Sequence, residues 1–143
     1  VDELRGVALK RGLLLTFRSD ITATGIVNAD IGKVRQALHN LINNSIKYTE
    51  RGSIMVSVTE DQKKRRIFAT VSDTGIGMSE ETITSLFAKF SRAKNANSVN
   101  TSGTGLGLFV AKQMIEHMGG TITAESKGAG MGSVFTLELP LLQ

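Results

Sequence analysis

Three short stretches of this sequence combine residue types that could bind a phosphorylated ligand. The first is a polar stripe on a predicted helix, at roughly 100° per residue: Asn40, Asn44, Lys47 and, at its edge, Tyr48. Carboxamide oxygens suit Mg²⁺, which normally shares phosphate oxygens, and a lysine can neutralise phosphate charge. The same stripe is typical of the polar outer face of an ordinary amphipathic helix. Taken alone, it therefore leaves both interpretations open.

The second stretch, residues 73–78 (DTGIGM), directly follows a largely apolar predicted strand. An unpaired carboxylate is costly there, and the amino group of adenine is one donor that would satisfy Asp73. Gly75 and Gly77 would allow backbone to approach a ligand closely. A tight turn with a surface aspartate is the equally open alternative.

The third stretch, residues 103–108 (GTGLGL), leads from a polar loop into a predicted helix. Backbone N–H groups at a helix N-terminus favour phosphate. The spacing differs from G-x-G-x-x-G, and no G-K-[ST] follows, so neither a dinucleotide fingerprint nor a P-loop is indicated. By itself this glycine triplet is a weak signal.

The length of 143 residues and the lack of an internal linker predict one domain spanning residues 1–143. Helices are predicted over residues 1–11, from an N-cap at Asp30 to about Tyr48, over 80–87 after a Ser79 cap, and over 105–118. Strands are predicted over residues 13–17, 25–28, 54–58, 67–71, 121–126 and 133–139, with a turn at 60–65 and a mobile polar loop at 91–104. A stripe on the long helix is predicted to face the sheet: Val34, Leu38, Leu41, Ile42 and Ser45. The expected fold class is α/β (α+β), a two-layer sandwich with a mixed, mostly antiparallel sheet and helices packed on one face.

Composition excludes several classes of site. The chain contains no cysteine, so disulfides, zinc–thiolate sites and thiol nucleophiles are ruled out. The net charge of +4 attracts anions, but the dense basic cluster at residues 63–66 falls in a predicted turn, which is more typical of a solvated turn than of a nucleic-acid surface. No apolar run approaches the roughly 20 residues that span a bilayer. Since the chain opens at Val1 without a signal-peptide pattern, we expect a fragment of a longer protein.

In order and spacing, the three stretches together resemble the histidine-kinase branch of the ATPase superfamily shared with DNA gyrase, heat-shock chaperone clamp ATPases and MutL proteins. Residues 39–49 resemble the asparagine box of that family, 73–78 its first glycine box and 103–108 its second. Residues 86–92 resemble its phenylalanine box and 132–140 its closing strand. The resemblance covers about residues 26 to 140. Ser45 is a mild departure, because alanine is more common there.

That resemblance implies a site for ATP or ADP with Mg²⁺. On the base side, Asp73 would bind the adenine amino group, with Ser133 assisting through water. Met78 would pack against adenine, although a core methionine is the alternative. Gly75 and Gly77 would let the backbone pass beside the nucleotide.

On the phosphate side, Asn44 would be the Mg²⁺ ligand and Asn40 would lie beside the phosphates. Lys47 would contact phosphate and Tyr48 the nucleotide, and catalytic roles are implied for the two asparagines and the lysine. The ATP lid is expected at residues 91–107, and its second glycine box supplies further nucleotide contacts: Gly103, Thr104, Gly105, Leu106, Gly107 and Leu108. Either Arg92 or Lys94 could reach the γ-phosphate, or both could be solvated.

Asn40 separates the branches of this superfamily. Relatives that hydrolyse ATP place a water-activating glutamate there, whereas an asparagine cannot act as a base at neutral pH. The resemblance therefore implies phosphoryl transfer to a protein side chain. Neither His39 nor His117 has the family's acceptor pattern, so the acceptor is expected on a dimerisation domain of the same kinase, preceding Val1.

The implied partners are that histidine-bearing domain and a downstream response regulator, with no nucleic acid. The full-length protein is expected to be a homodimer and this fragment a monomeric cytoplasmic domain, while an anchor in the bacterial inner membrane is compatible with the resemblance. Three alternative functions are disfavoured by particular residues. A hydrolysing clamp ATPase is disfavoured by Asn40, and a binding module without turnover is disfavoured by the intact boxes. An anti-sigma serine kinase is disfavoured by the phenylalanine box and the long lid.

Overall fold

The computed structural model describes residues 2–19, 31–87 and 107–141 of the chain. Within these ranges the elements are α1 (Asp2–Lys10), β1 (Leu13–Ser19), α2 (Ile31–Lys47), β2 (Gly52–Asp61), β3 (Arg66–Asp73), α3 (Glu80–Ser85), α4 (Gly107–His117), β4 (Thr121–Glu125) and β5 (Ser133–Pro140). None of the helices in these ranges has both the length and the apolar character needed to cross a membrane.

The strands form one sheet in the order β1-β2-β3-β5-β4. β1 and β2 are parallel, and the other three pairs are antiparallel. Asp73, the last residue of β3, pairs with Ile54 on one side and with Ser133, the first residue of β5, on the other. The predicted mixed, mostly antiparallel sheet is confirmed, and its register places Asp73 beside Ser133.

One face of the sheet carries the core, because side chains alternate along each strand. Its buried members include Leu13, Ile54, Val71 and Phe135, which form one cluster with apolar side chains of α1, α2 and α4. Helices therefore pack on a single face, as the sequence predicted.

The long helix α2 turns its predicted apolar stripe to this core. Leu41, Ile42 and Ser45 are buried, while Val34 and Leu38 are partly buried against the cluster. Because residues three and four apart share a helix face, the polar stripe is left on another side.

Several element boundaries differ slightly from the sequence predictions. Ser79 caps α3 by accepting a hydrogen bond from the Thr82 N–H at 3.1 Å, as predicted, but the helix ends at Ser85 instead of residue 87. The predicted strand at 25–28, the Asp30 cap and the polar loop at 91–104 lie outside the described residues.

Candidate functional site

The polar stripe of α2 forms one wall of the site. Asn40, Asn44, Lys47 and Tyr48 are all half-buried, and Asn44 and Tyr48 line a cleft beside the end of β3. The Asn40 side-chain amide donates a hydrogen bond to the Gly107 carbonyl, with 3.3 Å between nitrogen and oxygen. Asn40 therefore contacts α4, whereas Asn44, one helical turn further along α2, faces the cleft.

Asp73 lies at the base of the cleft and is buried, with 7% of its surface exposed. Its Oδ1 accepts hydrogen bonds from the Gly75 N–H at 2.9 Å and the Ser133 N–H at 3.2 Å. Burial raises the pKa of the Asp73 carboxyl, and these hydrogen bonds, together with the neighbouring Ser45 hydroxyl, partly offset the rise. The structure thus places the aspartate inside the domain instead of in a surface turn.

The two backbone donors fix the orientation of this carboxylate. Since both bind Oδ1, neither of these backbone donors occupies the second oxygen, Oδ2, which is the oxygen available to a ligand. A carboxylate oxygen in a half-enclosed cleft is a strong acceptor for an N–H group. The chemistry offered at this point is therefore recognition of a ligand that donates a hydrogen bond.

The loop at residues 73–78 is docked on the end of α2. The Ile76 N–H donates to the Tyr48 carbonyl at 3.1 Å. A Cβ on Gly75 would stand 2.3 Å from that same carbonyl oxygen, which leaves no room for a side chain. Gly75 is thus required by contact between two backbone segments of this protein, in addition to any close approach of a nucleotide.

A second supporting loop, residues 126–132, joins β4 to β5 and was not predicted from the sequence. Its Gly130 and Gly132 N–H groups donate to carbonyls of the 73–78 loop at 2.6 and 3.2 Å, and its Ser126 hydroxyl accepts from the Met78 N–H at 2.9 Å. The available signal was the repeated glycine at 128, 130 and 132, all with positive φ. Such a spacing marks an irregular backbone, although it does not reveal which segment that backbone contacts.

The cleft encloses about 300 Å³ of space, part of which is continuous with bulk solvent. Its wall is formed by Asn44, Tyr48, Asp73, Ile76, Gly77, Met78, Leu86, Ser133 and Phe135. Six of these were predicted as site residues. The apolar members that sequence analysis did not assign to the site, Ile76, Leu86 and Phe135, surround the polar atoms with hydrocarbon, as a flat aromatic base requires.

Other predicted site residues are placed differently. Asn40, Lys47 and Gly75 lie next to the cleft but do not form its wall. Gly107 is the first residue of α4, and Leu108 packs partly against the core. Gly103 to Leu106, together with Arg92 and Lys94, lie outside the described residues.

Two contacts hold the N-terminal half of α4 beside the site. One is the Asn40–Gly107 hydrogen bond, and the other is a cation–π contact between the Lys112 ammonium and the Phe87 ring, 4.9 Å from nitrogen to ring centre. These contacts position α4 against both α2 and the turn that follows α3.

The sequence from residue 29 to 143 matches the family model described as histidine kinase-, DNA gyrase B-, and HSP90-like ATPase. This chain belongs to that family. The domain is 37% identical over 134 residues to hybrid signal transduction histidine kinase B of Dictyostelium discoideum, covering 92% of this chain and 7% of that protein. It spans 7 to 16% of the length of the curated relatives from Dictyostelium, Vibrio, Pseudomonas and Bordetella.

Similar solved structures indicate the branch of the family to which the domain belongs. The catalytic domain of histidine kinase ThkA superposes with a TM-score of 0.79 at 28% identity, covering 97% of this chain and 87% of that one. Full-length ShkA in complex with AMPPNP superposes with a TM-score of 0.83 at 26% identity, covering 99% of this chain and 28% of that one. The molecule is a nucleotide-binding catalytic domain of the histidine-kinase type.

Proposed function

We propose that this domain binds Mg-ATP and donates its γ-phosphate to a histidine on a separate dimerisation domain in two-component signalling. The observation that carries the proposal is the Asp73 carboxylate, which is buried at the base of the cleft with Oδ1 held by two backbone donors and Oδ2 left for a ligand. The amino group of adenine is a donor of matching chemistry. ShkA, which shares the fold, was crystallised with the ATP analogue AMPPNP.

The walls of the cleft fit the remainder of the base. Ile76, Met78, Leu86 and Phe135 supply apolar surface around Asp73. Burial of an aromatic ring between such side chains removes apolar area from water, worth about 25 cal/mol per Å² before the costs of association. Ser133 also lines the cleft and supports binding of the adenine ring through a bridging water.

Asn44 is the residue best suited to meet a magnesium ion. It lines the cleft and offers a carboxamide oxygen, a hard ligand of the kind that Mg²⁺ accepts together with phosphate oxygens. Bound there, the ion would neutralise phosphate charge. Lys47, one turn further along α2, adds positive charge, and Asn40 and Tyr48 complete the polar stripe beside the phosphates.

Transfer to a protein side chain, and not to water, is supported by Asn40. Its amide is a donor to the Gly107 carbonyl, and a carboxamide has no basic site with which to deprotonate water. The domain would then act by holding ATP in position and neutralising its charge, which are the main demands of phosphoryl transfer. The lid predicted at residues 91–107 would complete the phosphate site.

The acceptor histidine is proposed to lie on the dimerisation domain of the same kinase, and a response regulator would receive the phosphate next. His39 and His117 are both exposed, and neither lines the cleft. A homodimeric, membrane-anchored parent protein is compatible with this arrangement.

Replacement of Asn44 with Ala should remove the dependence of ATP binding on Mg²⁺. In the wild type we expect Mg²⁺ to tighten binding of AMPPNP; in the variant, the ratio of dissociation constants with and without the ion should fall to about one. Titration calorimetry in Mg²⁺ and in EDTA measures both values. The matched control is Asn43→Ala, since Asn43 is the adjacent half-buried asparagine on α2 and does not line the cleft. A full Mg²⁺ effect in Asn44→Ala would show that another residue holds the ion.

The chain alone should not phosphorylate itself. After incubation with γ-labelled ATP and Mg²⁺, mass spectrometry is expected to find no phosphohistidine, because the exposed His39 and His117 lie outside the cleft wall. Stoichiometric phosphate on either residue would contradict the proposal that the acceptor belongs to another domain.

A further inference from the structure

The hydroxyl group of Ser126 joins the two loops that frame the base side of the cleft. Ser126 is half-buried and opens the 126–132 loop directly after β4. Its Oγ accepts hydrogen bonds from the Met78 N–H at 2.9 Å and the Gly128 N–H at 3.2 Å. It donates to the Gly132 carbonyl at 2.6 Å, the nearer of two carbonyl oxygens within reach. A serine hydroxyl donates once and accepts twice, so backbone groups use its full hydrogen-bonding capacity.

Two of these backbone partners belong to the cleft wall or adjoin it. Met78 lines the cleft. Gly132 precedes Ser133, which also lines the cleft and whose N–H donates to Asp73 Oδ1 at 3.2 Å. Ser126 stands outside the cleft wall, so its hydroxyl acts from behind and ties the main chain at Met78 to the main chain beside Ser133.

Further contacts between the two loops are made by main chain. Two glycine N–H groups of the 126–132 loop donate to the carbonyls of Gly75 and Ile76. Those hydrogen bonds hold the middle of the 73–78 loop, whereas Ser126 holds its end, where the chain leaves the cleft for α3. Because the Ser126 contact is made by a side chain, one substitution can remove it without changing the main chain of either loop.

We propose that Ser126 is a positioning residue that sets the width of the base pocket and thereby its selectivity for unmodified adenine. Its hydroxyl keeps Met78 and Ser133 at a fixed separation around the Asp73 carboxylate. An adenine amino group that carries a substituent then finds too little room at the base of the cleft. Without the hydroxyl, Met78 can move away from Ser133, and the pocket admits the larger base. This inference rests on the proposed function, because it takes Asp73 as the acceptor of the amino group.

The test compares ATP with N6-methyl-ATP, whose amino group carries one extra methyl group, on the wild type and on Ser126→Ala by calorimetry. The wild type should prefer ATP by about tenfold or more, the usual effect of one added methyl group in a closed pocket. In Ser126→Ala, ATP binding should weaken by about fivefold, the effect of one hydrogen bond of ordinary strength. Affinity for N6-methyl-ATP should change by less than about twofold, because the wider pocket offsets that loss. The preference for ATP should therefore fall by about fivefold.

Three further variants separate positioning from a general loss of stability. Ser57→Ala removes a half-buried hydroxyl that is hydrogen-bonded to the Thr70 hydroxyl outside the cleft wall, so the preference for ATP should be unchanged. Ser126→Thr keeps a hydroxyl and should keep the preference. Thermal unfolding shows whether each variant is folded. If Ser126→Ala does not fold, Ser126→Cys takes its place, and the same fall in preference is expected because a thiol is a weak donor and acceptor.

Each other outcome has a definite meaning. If Ser126→Ala weakens binding of both nucleotides by the same factor, or of neither, the hydroxyl does not set the pocket width and the inference is wrong. The same fall in preference in Ser57→Ala or Ser126→Thr would assign the effect to stability or to packing and would also overturn it. If the wild type binds neither nucleotide, or binds both equally, Asp73 does not receive the adenine amino group, and the proposed function fails first.

Discussion

Replacement of Asp73 with Asn should weaken ATP binding by about 100-fold or more while the domain remains folded. Oδ1 accepts two backbone N–H groups, so the side-chain oxygen of an asparagine must occupy that position. Its NH₂ group then points to the ligand, where it meets the adenine amino group, and two donors face each other. Inosine triphosphate carries a carbonyl oxygen in place of the adenine amino group, so its affinity relative to that of ATP should be higher in the variant than in the wild type.

The same substitution should alter how stability depends on pH. Burial raises the pKa of Asp73 in the folded protein above its ordinary value of 3.8. The folded state then holds the proton more tightly than the unfolded chain, so this contribution to stability is fully present below 3.8 and is lost as the pH rises through the raised pKa. Without nucleotide, the variant should therefore gain stability relative to the wild type as the pH increases across that window. Chemical denaturation over a pH series measures the trend.

The control for this change is Asp61→Asn. Asp61 accepts a hydrogen bond from the Lys64 N–H at 3.0 Å in the turn between β2 and β3, outside the cleft wall, so ATP affinity should be unaffected. Wild-type affinity in Asp73→Asn, measured by calorimetry, would mean that the base is recognised elsewhere.

Replacement of Gly77 with Ala should destabilise the domain even when no nucleotide is present. Gly77 has φ of 72°, and an added Cβ would stand 2.0 Å from the Gly128 carbonyl oxygen. The left-handed conformation costs about 1 to 2 kcal/mol for a residue with a Cβ, and overpacking against backbone typically adds about 1 to 3 kcal/mol. We expect the free energy of unfolding to fall by about 3 kcal/mol, measured by urea denaturation.

Gly12→Ala separates the two causes. Gly12 has nearly the same φ, 73°, but no atom lies within 4 Å of the position that its Cβ would take. The free energy of unfolding of Gly12→Ala should therefore fall by only about 1 to 2 kcal/mol. The additional loss in Gly77→Ala then measures the contact between the 73–78 loop and the 126–132 loop. Equal losses in the two variants would show that this contact is not tight.

The parts of the fold that could be predicted from sequence are those governed by local periodicity. The apolar spacing on α2 predicted which face it buries, and alternation in β2 and β3 predicted the hairpin. Asp73 was noticed because a carboxylate at the end of an apolar strand is costly. In each case the signal lies within one element.

The parts that could not be predicted depend on contacts between distant segments. Ser133 N–H reaches Asp73 because β3 and β5 pair in a particular register. The glycines of the 126–132 loop contact carbonyls of the 73–78 loop, and Asn40 contacts the Gly107 carbonyl. Backbone groups are the same in every residue, so residue type does not indicate which ones will meet.

Asn40 is the residue on which the choice between kinase and hydrolase depends. In the structure its side-chain amide donates a hydrogen bond to α4. A glutamate at this position would supply a base, but its carboxylate could not donate that hydrogen bond. Asn40 therefore helps to place α4, and it also cannot act as a base toward water.

The central claim, that this cleft holds Mg-ATP through its adenine base, is tested most directly by calorimetry of AMPPNP on the chain, with and without Mg²⁺. We expect saturable binding at one site, tightened by Mg²⁺ and accompanied by a rise in unfolding free energy of about 2.7 kcal/mol at a hundredfold excess over Kd. The corresponding guanine nucleotide should bind far more weakly. An absence of saturable binding, or equal binding of the two nucleotides, would contradict the account.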